Sequence, residues 1–338
     1  MRLAQQNSTT RSTSTQLLVL RILLLVSLGG FSVLVPKSLI ASPQPSRIDY
    51  LGNFPKHRQS GWSEKLQGVA NNDSNWFFTQ VNRLWKFPVS HDLNTKVTGP
   101  NHSKGIFRTG IPSALNGYDH FGDLDHYRGF LFIPVERPGK TPRIAVFKAS
   151  SLEYVDSYPL ERQRQAGWVA IEPDSGLLYT SNNHIDQDNN PIFIYKFDLQ
   201  RLQQGDFKLS YHANFYLRNE QGSKIEIKPY LQGGVFSSNG HTLYLVNGKA
   251  TDFDAKDGGI WAFNANNGRK IMKSGQSGEF KFEFHPGPSK YEEPEGITFW
   301  NLDNGRAPRI QGGQVHVILL DNDWASDDEF YFKHYRIH

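Results

Sequence analysis

The chain reads as an all-β protein folded as a β-propeller, with five blades preferred and six as the alternative, and three observations predict this. A polar residue, a glycine and a short apolar run recur five times, in Leu66–Ala70 (LQGVA), His120–Leu124 (HFGDL), Gln165–Val169 (QAGWV), Gln232–Phe236 (QGGVF) and Glu292–Trp300 (EEPEGITFW). Each copy is followed by a polar turn, a second apolar run, and a third run closing on an aromatic, so one unit of at least three strands repeats along the chain. Finally, Ile48–Phe54 reads as a strand without a neighbour, while the last unit stops at His338 directly after its third run. Pairing those two segments supplies the missing outer strand and closes a ring, which removes the free edges a row of sheets would expose. Four antiparallel strands repeated around an axis make a propeller.

The elements follow in order. Residues 1–42 form a leader: a polar start rich in Ser, Thr and Gln, then Leu17–Val35, apolar except for Arg21, then the small residues Ala41 and Ser42. This pattern predicts a signal peptide, with an uncleaved signal anchor as the alternative because the apolar run is only slightly shorter than a spanning helix needs. The expected location is therefore exported, periplasmic or extracellular, or membrane-anchored if the leader is retained. Residues 43–46 are a Pro-containing linker, and 47–338 are one propeller domain. The marker glycines Gly68, Gly122, Gly167, Gly234 and Gly296 lie 45 to 67 residues apart. Minimal blades need about 40–45, so loops are long or a sixth unit hides in Asn94–Asp119 or Tyr211–Gln232. A weak fourth strand is expected at Lys208–Tyr211 in the third copy and at Phe280–Phe284 after the fourth. First hairpin turns carry Asn71–Asn75, Pro173–Gly176 and Ser238–Gly240, residues whose side chains favour turn dihedrals.

Charge and composition exclude several classes. The net charge of +4 comes from the leader, whose four bases, Arg2, Arg11, Arg21 and Lys37, are unaccompanied by acids; the remainder carries 33 basic and 33 acidic residues. A neutral body makes no electrostatic case for nucleic acid, and a membrane contact is expected only through a retained leader. The absence of cysteine rules out disulfides, thiolate metal sites and a thiol nucleophile. The chain has no Gly-x-Ser-x-Gly elbow, no His-Glu-x-x-His helix, no phosphate loop and no dinucleotide fingerprint.

In a propeller, the loops before first strands and between second and third strands emerge on one face. That rule gathers Gln67, His120, Gln165, Gln232 and Glu295 at matching places around the central channel. It adds loops bearing Asn183, His184, Asn247, Asp321, Asp323 and Trp324. The face is thus dense in carboxylates, amides and imidazoles, and the opposite face carries mainly short turns. Three Asp-x-Asp pairs, Asp186/Asp188, Asp252/Asp254 and Asp321/Asp323, offer oxygen ligands suited to a hard cation. As self-contained metal loops they are weak; a site shared between blades would draw on Glu295, Asn183, Asn247, Asp321 and Asp323. His120 is the candidate base at the mouth, since general-base catalysis needs a titratable group in reach of its proton. Strand alternation sets it on the face opposite Asp123. His184 and Trp324, with Gln67, Gln165 and Gln232, are candidate ligand contacts. The partner expected there is a small molecule, a glycan or a protein loop.

Glu295-Gly296-Ile297-Thr298, opening an inner strand among acid and amide loops, resembles propellers of the gluconolactonase, paraoxonase and phytase-like esterase group. The resemblance implies a calcium ion over the channel, held by the inner-strand Glu295 and by Asn183, Asn247 and Asp321, polarising a lactone or ester. Two functions follow: a binding propeller, with or without calcium, and a calcium-dependent lactonase or esterase using the same mouth, with Glu295 and His120 as catalytic residues. The fold alone does not choose between them.

Overall fold

Each repeat folds into a four-stranded antiparallel sheet because its apolar runs are buried on both faces, a demand that continuous rather than alternating hydrophobicity signals. In the computed structural model, the described residues are 44–58, 61–186, 188–228, 230–248, 258–275, 278–284, 292–321 and 329–338. The leader lies outside them. Among the described residues, no helix is long and apolar enough to cross a membrane.

Five sheets form the ring. Blade 1 comprises Leu66–Asn71, Asn75–Gln80, Arg83–Pro88 and Phe107–Gly110, from the axis outward. Blade 2 has a broken inner strand, His120–Phe121 and Asp125–Tyr127, both paired to Phe130–Glu136, then Arg143–Lys148 and Tyr154–Pro159. Blade 3 comprises Ala170–Ile171, Leu178–Thr180, Ile192–Lys196 and Ser210–Phe215. Blade 4 comprises Leu231–Phe236, Thr242–Asn247, Gly259–Asn264 and Lys270–Lys273. Blade 5 comprises Glu292–Phe299, Val315–Asp321, Glu329–Ile337 and, as its outer strand, Ile48–Arg58.

The closing strand pairs antiparallel with the C-terminal strand, Ile48 opposite Ile337 and Tyr50 opposite Tyr335. Beyond it, Ser46 N donates to His338 O at 2.8 Å and His338 N to Arg47 O at 2.9 Å, so the start of the propeller domain is fastened to its C-terminal residue.

Hydrophobic side chains fill the gap between every pair of adjacent blades. Trp62, Trp76 and Phe78 meet Trp300, Ile318 and Phe332 between blades 1 and 5. Tyr244 and Val246 meet Val317 and Tyr335 between blades 4 and 5. Phe77 meets Phe121 and Leu131 between blades 1 and 2, Phe132 meets Leu178 between blades 2 and 3, and Trp168 meets Leu245 between blades 3 and 4. Five interfaces for five blades leave no open edge in the ring.

The long spacings are loops rather than a sixth blade. Asn94–Asp119 supplies blade 1's outer strand and two single-turn helices, and Tyr211–Gln232 finishes blade 3's outer strand before sending Leu217 and Ile227 into the interface with blade 4. Two outer-strand assignments shift: blade 3's, expected at Lys208–Tyr211, runs Ser210–Phe215, and blade 4's moves altogether. The fourth strand of blade 4 is Lys270–Lys273, whereas Phe280 and Phe282 turn back to cover the aromatic core against Tyr335, at 6.0 and 6.4 Å between ring centroids. Their alternation serves a core lid, not a sheet.

Candidate functional site

The inner strands approach so closely that the axis is closed, and this is what the repeated glycine accomplishes. A Cβ on Gly122 would lie 2.3 Å from Gly167 O; one on Gly68, 2.5 Å from Asp123 Cα; one on Gly296, 2.6 Å from Gly68 Cα. Backbone meets backbone there, and only glycine fits. At the centre sits Asp123, fully buried. Its carboxylate accepts from the backbone N–H of Val69 at 3.0 Å, Gly234 at 3.3 Å and Ile297 at 3.2 Å, one from each of blades 1, 4 and 5. Its own backbone N donates to Gly167 O at 2.8 Å, reaching blade 3. One aspartate thus ties all five inner strands. Burial pushes its carboxyl well above the ordinary range, against the three N–H donors. The sequence held a signal for it: the other copies place Val69, Trp168, Val235 and Ile297 after the marker glycine, and only this one places an acid.

Above this plug lies the face where the polar ring was expected. Gln232 and Glu295 do meet, the amide Nε2 donating to the Glu295 carboxylate, and Glu295 is only 3% exposed. Asn183 lies beside them: its Oδ1 would be 3.2 Å from a Cβ on Gly167, whose next neighbours are Leu231 O and the Gln232 Cα. That Oδ1 is buried and has no hydrogen-bond partner among the described residues. The other expected members of the ring are placed as follows. Gln67 Nε2 donates to Leu66 O. His120 stands opposite Glu136 in the blade 2 register, and burial lowers its pKa. Burial also raises the Glu136 carboxyl, which accepts from Ala166 N. Gln165 is exposed, its backbone N held by Asn182 Oδ1. His184 bonds Asn190 within its own loop at 2.8 Å.

The described members of the implied calcium set are Glu295, Asn183, Asn247 and Asp321. Asn247 Oδ1 accepts from Trp261 Nε1 at 2.8 Å and its Nδ2 reaches Lys228 O, which turns it into a strut of blade 4. Asp321 is buried at the end of its strand, opposite Glu292. Asp186 caps its own turn through the N–H groups of Asp188 and Asn189. Among the described residues, no group of three His, Asp or Glu side chains converges to hold a metal. Asp323, Trp324, Asp252 and Asp254 lie outside the described residues.

Below the plug, on the face expected to carry mainly short turns, a cavity of about 340 Å³ opens along the axis. Every blade contributes to its wall, through Asn71, Asp125, Ile171, Val235 and Thr298 among others. Asn71 Nδ2 donates to Thr298 Oγ1 at 2.7 Å, joining blades 1 and 5, and Asp125 accepts from Ile171 N at 2.7 Å, joining blades 2 and 3. Burial pushes the Asp125 carboxyl up to about 7 and the neighbouring His126 down to about 4. Sequence reading missed this cavity because each blade supplies one or a few scattered residues at an inner-strand end. A larger depression, about 440 Å³, is framed by Asn82 and the single loop 111–119.

No family model matches the chain, and no curated protein matches it. Among solved structures, it is similar to a chain in the complex of KlAtg21 with the coiled-coil of AgAtg16, at 11% identity, covering 77% of this chain and 67% of that one, with a TM-score of 0.38. A likeness so distant carries no argument about function.

Proposed function

We propose that the chain is a ligand-binding propeller whose mouth, around Glu295, Gln232 and Asn183, takes a polyhydroxylated small molecule or the end of a glycan. The observation that carries this reading is the buried Asn183 Oδ1, which has no hydrogen-bond partner among the described residues and lies on the same side of Gly167 as Gln232, the donor to Glu295. An unpaired buried acceptor costs about 1–3 kcal/mol and is kept where something pays that cost in the bound state. An acceptor without a partner calls for a ligand that donates, and sugar hydroxyls donate. Action outside the cytoplasm is part of the proposal and is supported by the acid-free leader and neutral body.

The test is calorimetric titration with a panel of mono- and oligosaccharides, with and without calcium, on wild type, Asn183→Ala and Glu295→Gln. Asn183→Ala is expected to leave the free protein as stable or more so, since it removes an orphan acceptor, while weakening binding about tenfold or more. Glu295→Gln keeps the shape and is expected to weaken binding likewise. Saccharide binding that both variants retain, or a panel without any binder, would overturn the proposal. Calcium-dependent hydrolysis of lactones or esters abolished in Glu295→Gln would replace it with the enzyme reading.

A further inference from the structure

The cavity below Asp123 is separate from the mouth, because the closed axis stands between them. Its wall combines three chemical features. The ionisable groups lining it are Asp73, Asp125, His126 and Tyr127, with no lysine or arginine. The lining also holds the apolar residues Ile171, Pro173 and Val235, and three aromatic residues, Tyr127, Phe236 and Phe299, whose rings pack against Phe197, Tyr179 and Tyr244. Asn71, Ser238 and Thr298 add neutral polar groups. Two bases stand at its rim, each held to a lining residue: Arg128 lies 5.7 Å from the Tyr127 ring centroid, and Arg306 donates to Asp73 O at 2.8 Å while covering the Trp300 ring at 4.6 Å. His126 is stacked on Phe77 at 6.3 Å and accepts from Gly129 N through Nε2, the arrangement of a neutral ring.

We infer that this cavity is a second binding site and that it takes a small organic cation, an alkylamine with an apolar body. Two carboxyl groups in a lining without lysine or arginine supply the charge complement, and the apolar Ile171, Pro173 and Val235 beside them suit a hydrocarbon stem rather than a hydrated anion. Drug-sized ligand cavities run about 300–1,000 Å³, so this one, at about 340 Å³, suits a ligand at the small end of that range. The amine enters protonated, and the facing carboxyl must be ionised to pair with it. Because burial holds Asp125 near 7, with Asp123 deeper in the axis as the other buried acid, the cation also draws off the Asp125 proton as it binds. Affinity therefore rises with pH across neutrality.

The experiment compares 1,4-diaminobutane with 1,4-butanediol, which share a carbon chain and differ in charge, together with inorganic phosphate, by calorimetry at about pH 6 and about pH 8. Wild type is expected to bind the diamine about tenfold or more tighter than the diol, to ignore phosphate, and to gain roughly tenfold in diamine affinity between the two pH values. Asp125→Asn is expected to abolish the pH dependence. In case that change disturbs the bond to Ile171, Asp73→Asn at the exposed rim is expected to weaken the diamine several-fold with folding untouched, and Ser238→Trp, also exposed, to block the cavity. Equal binding of diol and diamine, phosphate in preference to either, or no binding of the diamine would overturn the inference. None of these outcomes bears on the mouth, whose saccharide assay uses different residues.

Discussion

Two buried imidazoles brace the closing blade. His316 and His334 meet Nδ1 to Nδ1 at 2.7 Å; His316 Nε2 lies 2.8 Å from Trp300 O and His334 Nε2 lies 2.6 Å from Phe54 O. Two neutral rings bring two N–H groups to three contacts, so a shared extra proton would complete the set. That third hydrogen bond is worth about 0.5–1.5 kcal/mol net, whereas burying the accompanying charge costs several kcal/mol. Burial therefore wins and holds both rings below the ordinary histidine range, His334 at about 4. In the unfolded chain each ring titrates near 6.5. A depressed folded value means that the contribution is fully present above about pH 6.5 and is lost as pH falls toward 4, on the order of 3 kcal/mol for His334 if its shift is taken whole. Urea denaturation at about pH 7.5 and pH 5 checks this: wild type is expected to lose more stability on acidification than His334→Gln, which still has a donor for Phe54 O. Equal losses would show that the rings do not titrate in this range.

At the scale of the strand, the marker glycines separate what the sequence displays from what it conceals. Their recurrence marked the inner strands, and with them the blade count, because a close approach required five times leaves five copies of the same mark. What they approach was not legible, since Asp123 draws its donors from residues 54, 111 and 174 positions away. Outer strands were legible least well. Lys270–Lys273 buries little and shows almost no apolar pattern, so the stronger alternation of Phe280–Phe284 took its place in the reading. For the mouth, spacing predicted the ring of polar residues, but only local packing shows that Gln232 bonds Glu295, Trp261 bonds Asn247 and Asn190 bonds His184. The glycine argument is checked by Gly122→Ala. Its new methyl would meet a backbone carbonyl at 2.3 Å that cannot move without displacing blade 3, so a loss of several kcal/mol is expected, as for other overpacked cores. Gly99→Ala, with nothing within 4 Å and no left-handed backbone, is the control expected to be neutral within about 0.5 kcal/mol. Equal midpoints in thermal melts of the two variants would refute close packing on the axis.

For the whole molecule, the question is how a ring of five sheets stays shut. Each interface is a hydrophobic core; in the one between blades 1 and 5, Phe78 meets Trp62, Trp76 and Phe332 at 4.9 to 6.1 Å, and Trp62 meets Phe330 at 5.4 Å. The additional device is that blade 5 is made from both ends of the chain, so the ring cannot open there without unpairing Ile48–Arg58 from Glu329–Ile337. Circular permutation separates these two contributions. Because Ser46 and His338 are already hydrogen-bonded, a short glycine link can join the ends. Opening the joined chain at the exposed turn Asn266–Asn267 makes Lys270–Lys273 the new first strand, shared between the chain ends, and transfers the same kind of closure to blade 4. Opening it instead between Arg58 and Gly61 leaves every blade built from one continuous segment, with the same side chains in the same interfaces. The first permutant is expected to unfold at a rate close to wild type, and the second several-fold faster or more, because its blades 1 and 5 can part by losing one interface without breaking a sheet. Unfolding rates in denaturant, read from tryptophan fluorescence at the Trp62–Trp76–Trp300 cluster, supply the measurement. If both permutants unfold at the same rate, the shared blade adds nothing beyond its core, and the ring is held by hydrophobic contact alone.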